Sequence, residues 1–225
     1  MRSPSCAEAT TDDVPGALTV GSAAGWPAEL TDGGVTLRPL RLRDGRAWVS
    51  LRRHNIEWLR PWEATSPERP GVGVPTSMAT FVTMTRRMRA EAREGRGLPL
   101  AVVVDGGFAG QLNVGGITRG SLDSAHLGYW VDSRVAGRGV MPTAVALVTD
   151  HCFGAVGLHR VEVNIRPENT ASRRVMEKLG FREEGLRRAF LHIAGEWRDH
   201  LSYALTREEV PTGLLARWHR TRDIG

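Results

Sequence analysis

Cysteine is nearly absent from this sequence: Cys6 and Cys152 are the only two in 225 residues. That excludes a disulfide-stapled scaffold and a cysteine-built zinc site, and it suits a reducing cytoplasm. No metal is expected. No apolar run approaches the ~20 residues that a membrane-spanning helix needs. The N-terminus has no basic segment followed by an apolar core, so neither a membrane partner nor a signal peptide is expected. Lysine is also scarce: of the 30 basic residues only Lys178 is not arginine. A Gly-Lys-Ser/Thr nucleotide loop is therefore missing. There is no internal repeat and no long single-sign charge block. What remains is an ordinary composition, 41% apolar and 24% charged, long enough for one sizeable domain with a complete core. The balance is basic, +5 with a pI near 10.1. Twenty-five acidic residues are interspersed among the arginines, which gives a mixed, solvated surface.

The chain is organised around Ala125–Gly154. Ala125–Val131 is an apolar run with Leu127, Tyr129, Trp130 and Val131, a strand composition. Asp132 and Ser133 break it. Arg134-Val135-Ala136-Gly137-Arg138-Gly139 then turns the chain, and Pro142 sits in the first turn of a helix. From Val140 onward Ala144, Val145, Leu147, Val148, Cys152 and Phe153 give one apolar stripe. A strand, a glycine turn and a helix start expose orphan backbone N–H groups at the positive end of a helix dipole, a place for a phosphate. The dinucleotide fingerprint needs a third glycine where Pro142 stands, so that reading is excluded.

In chain order, residues 1–33 read as a tail with Trp26 and Leu30 anchoring its end. The domain spans 34–206, and 207–225 is an extension holding Leu214, Leu215 and Trp218. Val35 and Leu37 alternate in a short strand. Asp44 is placed to cap a helix over 45–54, with Trp48 and Leu51 inward. The Trp58-Leu59-Arg60-Pro61-Trp62-Glu63 segment is either a helix packed on the core or an aromatic wall of an acceptor groove. Pro67, Pro70 and Pro75 mark a loop. A helix over 77–93 turns Met78, Phe81, Met84 and Met88 inward, and its Arg86-Arg87-x-Arg89 cluster is a solvated face or a contact for an acidic partner. Strands at 98–104 and 108–114 flank Asp105-Gly106-Gly107 as a hairpin. A strand at 159–165, a helix at 169–179 ended by Gly180, and a closing hairpin of 184–193 and 196–205 complete a mixed α+β sheet domain.

Arg134-x-x-Gly137-x-Gly139 resembles the pyrophosphate loop of the GNAT superfamily of N-acetyltransferases. Asn169-x-x-Ser172 followed by Glu177-Lys178-x-Gly180-Phe181 matches a second stretch of that superfamily. Trp58–Glu63, Leu127-Gly128-Tyr129 and Gly195-Glu196-Trp197-Arg198-Asp199-His200 are similar to the RimJ branch, the ribosomal-protein alanine N-acetyltransferases related to RimL. The resemblance covers about residues 35–206. It implies a GNAT fold: a mixed, mostly antiparallel central sheet splayed at an acetyl-CoA cleft, with helices on both faces.

The resemblance further implies acetyl-CoA as cosubstrate, held by Tyr129, Trp130 and Val131, by the turn Arg134, Val135, Ala136, Gly137, Arg138 and Gly139 with Val140, and by Asn164, Asn169 and Ser172. A main-chain N–H of 127–131 would meet the developing oxyanion. Ser172 stands where a proton donor to the leaving thiolate is needed, or it makes only a helix N-terminal hydrogen bond. Relatives place a tyrosine donor where this chain has Met176. They place a glutamate base where it has His126, which is either the base or a satisfied strand histidine. Glu63 is a second base candidate through water. Trp58, Trp62, Glu63 and Tyr203 are expected to line the acceptor side. Asp199-His200 is no hydrolase dyad, because adjacent strand residues face opposite ways. With Cys152 on the core stripe, direct attack by the amine is favoured over an acyl-enzyme.

Three functions are weighed. The first is transfer of acetyl to the N-terminal amine of a protein, a ribosomal protein with N-terminal alanine being the first partner to test. The second is acetylation of a polyamine or aminoglycoside, since fold alone does not settle the acceptor. The third is a basic nucleic-acid-binding module, opposed by the scatter of the arginines and the absence of a helix-turn-helix or zinc spacing.

Overall fold

The computed structural model describes residues 23–68 and 76–224. Pro70, Pro75 and the first part of the tail, including Cys6, lie outside the described residues. The strands are β1 (Leu30–Asp32), β2 (Val35–Pro39), β3 (Leu98–Val104), β4 (Gly107–Thr118), β5 (Ser124–Val131), β6 (Arg160–Ile165), β7 (Arg182–Ile193) and β8 (Glu196–Thr206). They form one eight-stranded sheet in the order β1-β2-β3-β4-β5-β6-β8-β7. All neighbours are antiparallel except β5 and β6, which are parallel. The helices are α1 (Gly45–His54), α2 (Ile56–Leu59), α3 (Met78–Arg93), α4 (Val140–Phe153), α5 (Thr170–Leu179) and α6 (Leu214–Ile224).

Strand alternation sorts the sheet into two faces. Leu112, Val114, Ala125, Leu127, Val163 and Ile165 pack with α4 and α5 in the main core. Ala101 and Val103 pack on the opposite face with Trp48 of α1 and Phe81 of α3. The two layers answer two amphipathic patterns: Val175, Met176 and Leu179 are the buried side of α5, and Trp48 and Leu51 that of α1.

Three sequence expectations are corrected. Asp44 does not cap α1 with its side chain; its buried carboxylate instead accepts from Arg38 (2.8 Å) and from the Arg41 N–H (2.8 Å), closing the turn before the helix. Met78 is 44% exposed rather than inward, since it stands at the first turn of α3, whereas Phe81 is fully buried. Helix α4 has no single apolar stripe: every residue from Val140 to Thr149 is buried. The cause is α6, which covers its outer side. Trp218 Nε1 donates to Thr143 Oγ1 (2.9 Å), and the Asp150 carboxylate accepts from the N–H groups of Leu214 (2.6 Å) and Leu215 (2.9 Å), the first amides of α6. Val210, Leu214 and Trp218 of the extension are thus part of the core, as is Trp26, and β1 joins the sheet.

Candidate active site

Strand β5 is paired with β4 along its length, up to Val131 opposite Gly110. Its pairing with β6 stops early, at Leu127 opposite Val163, although β6 runs on to Ile165. From Gly128 to Val131, β5 therefore has one edge with no strand partner among the described residues, and its backbone groups there can serve a ligand. The sheet opens into a V at this point. A Cβ added at Gly128 would meet nothing within 4 Å, so the opposite face of the gap, the expected acceptor side, is open as well.

On the α4–α5 side of the gap two hydroxyls meet. Tyr129 packs against the main core, and its Oη lies 2.7 Å from Ser172 Oγ. Ser172 is held in turn by the first turn of α5, its N–H donating to Oδ1 of the N-cap residue Asn169 (3.1 Å). Burial pushes the Tyr129 phenol up to about 12, against a smaller opposite effect of the Ser172 hydrogen bond. Both hydroxyls are protonated at neutral pH. Met176, where relatives are expected to place a tyrosine, is fully buried, and the tyrosine hydroxyl at the gap comes instead from Tyr129 of β5.

The turn after β5 is exposed, and Gly137 (φ +79°) and Gly139 (φ +81°) both adopt the left-handed region that glycine alone enters cheaply. A Cβ at Gly137 would meet nothing, so there is room above the turn for an anion. Asp132 anchors its start. Burial opposes the charge on this carboxyl, yet hydrogen bonds from Arg134 (2.8 Å) and Asn55 (3.1 Å) outweigh it and hold its pKa low. Arg134 is thereby committed to Asp132, whereas Arg138 is exposed with no carboxylate partner among the described residues. Val135 and Ala136 are half-buried against the core, and Val140 starts α4. The bare edge of β5, the open glycine turn and the helix start fit a diphosphate-bearing thioester carrier.

The acceptor side is walled by residues 55–65. Asn55 is 1% exposed; its amide donates to Asp132 and its Oδ1 accepts from the Ser133 N–H (3.0 Å), tying the α1–α2 junction to the end of β5. Pro61 O accepts from Arg166 just past β6 (2.7 Å), and the Arg166 guanidinium lies 5.4 Å from the Trp62 ring. Ala64 bridges Ile193, Thr65 N–H donates to His192 O (2.9 Å), and Ala194 N–H to Glu63 O (3.1 Å). The segment thus crosses from the end of β5, past the end of β6, to the β7–β8 turn. Glu63 is ion-paired with Arg52, whose guanidinium lies over the rings of Trp48 (5.5 Å) and Trp130 (5.3 Å). Burial lowers the Arg52 pKa, with Glu63 pulling the other way.

Several expected site residues fall elsewhere than the sequence reading had them. Trp130 turns its ring to the acceptor side, so only its main chain faces the cleft edge. Asn164 alternates with Val163 and Ile165 and so points away from α5; its Oδ1 is occupied by Ser202 Oγ (2.7 Å) rather than free. Tyr203 lies on the core face, apart from Trp58, Trp62 and Glu63, and its hydroxyl donates to Glu183 (2.8 Å). His126 is on the same face as Gly128, one side of its ring packed against Gly115 and Gly116 and the rest open to solvent, in register with Glu162. Burial lowers its pKa below 6.5, with Glu162 opposing. Asp199 accepts from the Ala189 N–H (2.8 Å) and His200 faces the other way. Cys152 is buried, its thiol pushed up to about 12 by desolvation. Asn55, Arg52 and Asp132 were missed, because only their partners far along the chain give them meaning. Among the described residues no group of His, Cys, Asp or Glu is arranged to hold a metal.

The family described as acetyltransferase (GNAT) domain matches residues 35–182. The chain belongs to the GNAT acetyltransferases. Among solved structures, this GNAT domain is similar to Mycobacterium smegmatis RimJ in complex with CoA-disulfide: 42% identity, 89% of this chain and 97% of that one, TM-score 0.84. The ribosomal-protein-S5-alanine acetyltransferase of Vibrio fischeri, at 24% identity over 81% of this chain and 98% of the other, shares the fold (TM-score 0.73). The [ribosomal protein uS5]-alanine N-acetyltransferase of Escherichia coli (strain K12) is 33% identical over 104 residues, 46% of this chain. The chain spans about half the length of the curated relatives it matches, 54% in that case.

Proposed function

We propose that this GNAT domain transfers the acetyl group of acetyl-CoA to the N-terminal α-amine of a protein, by direct attack within a ternary complex, with a ribosomal protein bearing N-terminal alanine as the first acceptor to test. The carrying observation is the wall of residues 55–65 over a gap whose far side presents the Tyr129–Ser172 pair. A passage closed on three elements admits the end of a chain more readily than a branched or bulky acceptor. The carboxylates of the wall and of the adjoining β6 are already taken, Glu57 by Arg60, Glu63 by Arg52 and Glu162 by Arg160 and Arg187. That leaves no acidic cleft for a polyamine.

Bound acetyl-CoA supplies an activated carbonyl and a thiolate leaving group. The backbone N–H groups of Gly137 and Gly139 with Arg138 hold the diphosphate. The bare edge of β5 offers an N–H to the carbonyl oxygen as charge develops there. Ser172 protonates the departing thiolate, and Tyr129, donating to Ser172 Oγ, leaves the serine proton directed into the cleft. His126, neutral at physiological pH because burial depresses its pKa, accepts the proton of the incoming amine. Holding the amine and thioester together supplies much of the rate gain.

A screen of the purified enzyme with acetyl-CoA against N-terminal peptides and small amines tests this reading. Acetylation of an Ala-initiated peptide, with spermidine and aminoglycosides inert, is expected. The opposite ranking would replace the acceptor.

A further inference from the structure

The arginines divide into those with a carboxylate partner and those without. On the β6–β8 side Arg160 is tied to Glu162 and Glu184, Arg182 to Glu184 and Glu209, and Arg187 to Glu162. On the opposite layer Arg43, Arg46 and Arg53, in and before α1, and Arg86, Arg89 and Arg93 of α3 have no carboxylate within ion-pair distance among the described residues. The acids nearby are spent: Asp44 on Arg38, Glu91 on Arg87, Glu94 on Arg96. Among the described residues other exposed arginines, Arg138, Arg174, Arg188 and Arg220, also lack a carboxylate partner, but they are dispersed over other elements, whereas these six stand on, or just before, two helices that pack together.

The face these six form is continuous. Trp48, Leu51 and Arg52 are the buried side of α1, so Arg46, Ser50 and Arg53, at i, i+4 and i+7, form its outer row. Arg46 and Arg53 are about 10 Å apart along the helix, as are Arg86 and Arg93 along α3. Helix α1 meets α3 through Gly45, where a Cβ would lie 2.7 Å from Met78 Cε, and through Trp48 against Phe81 (ring centroids 5.3 Å). Met78 and Arg89 are eleven residues apart in the sequence, three whole turns, so the α3 row lies on the flank turned toward α1. Packed helices sit about 8–10 Å apart, which brings the two rows alongside each other.

We propose that the α1–α3 face docks the phosphodiester backbone of structured RNA, bringing the protein terminus of a ribonucleoprotein to the acceptor passage that begins at Asn55; the choice of RNA rests on the ribosomal-protein reading above. Arginine forks suit phosphate bidentately, and the surface is made of arginine alone. No aromatic side chain stands in either row, so stacked single strands are not what it fits. Ser50 and Ala90 are exposed between the arginines, and the exposed apolar side chains nearby, Leu42, Ile56, Trp58 and Met78, flank the two rows at their ends instead of forming a continuous apolar face, which disfavours a bilayer.

The test is fluorescence anisotropy with a labelled RNA hairpin across a salt series, on the wild type and on R46E/R53E/R86E/R93E. Six contacts predict a log–log salt slope of about −4 to −5. The variant should flatten the slope to about −1 to −2 and lose RNA affinity, while retaining its melting temperature and its kcat/KM on a short peptide. Equal hairpin affinity in variant and wild type overturns the proposal, as does arginine-dependent binding of anionic vesicles, polyglutamate or duplex DNA in preference to the hairpin. Binding is read without an acetyl acceptor, so its failure leaves the N-acetyltransferase reading standing, and the reverse also holds.

Discussion

The two halves of β5 make an instructive pair. Ser124–Leu127 is laddered on both edges, and its alternating side chains Ala125 and Leu127 are buried in the core. Gly128–Val131 belongs to the same strand and keeps its β4 partner, yet its other edge is bare. One half satisfies its backbone internally and carries only the side chain of His126 toward the proposed chemistry; the other holds unspent donors beside Tyr129, Ser172 and the glycine turn. The proposed reaction centre lies where the ladder is interrupted, and the intact half fixes the geometry of the open one.

The contrast can be broken most forcefully at the turn. Gly137→Glu sets a carboxylate against phosphate at a position with φ +79° and should remove measurable acetyl-CoA binding by calorimetry. Unchanged affinity would refute the turn as the diphosphate site. Next in size, Ser172→Ala should lower kcat by about 10²-fold or more with little change in cofactor affinity. Tyr129→Phe should cost about tenfold through the loss of one orienting hydrogen bond, and the double variant should be no worse than Ser172→Ala alone. Additive losses would show that the two hydroxyls act separately. The smallest effect concerns His126. Its base form exists above its pKa, which burial lowers, so the wild-type rate should rise with pH through a midpoint below 6.5 and then level. His126→Ala should erase that rise; an unaltered profile would remove the histidine from the mechanism.

Much of the closed half, and some of the open half, was legible in the residues. The alternation of Val161, Val163 and Ile165, the glycines of the turn and the Asn169–Ser172 helix start are local patterns, and the structure puts each on its expected element. What could not be read depends on distant pairing. Tyr129 and Ser172 meet across 43 residues, and Asn55 and Asp132 across 77, with no periodicity linking them. Helix α4 looked one-sided because α6, which buries its outer surface, lies some 70 residues downstream in a stretch whose own pattern is short. Met176 carries no hydroxyl, and that Tyr129 meets Ser172 follows only once strand alternation and the position of α5 are known together. Which arginines are ion-paired could not be read either, because pairing such as that of Arg160 with Glu184 is a property of the fold.

The structure of the protein with coenzyme A tests the central claim most directly. The account predicts the diphosphate on the backbone of Gly137–Gly139 and the sulfur in the gap beside Gly128–Val131, within hydrogen-bonding reach of Ser172 Oγ. Density for the cofactor on any other surface, or a sulfur remote from Ser172, would contradict it.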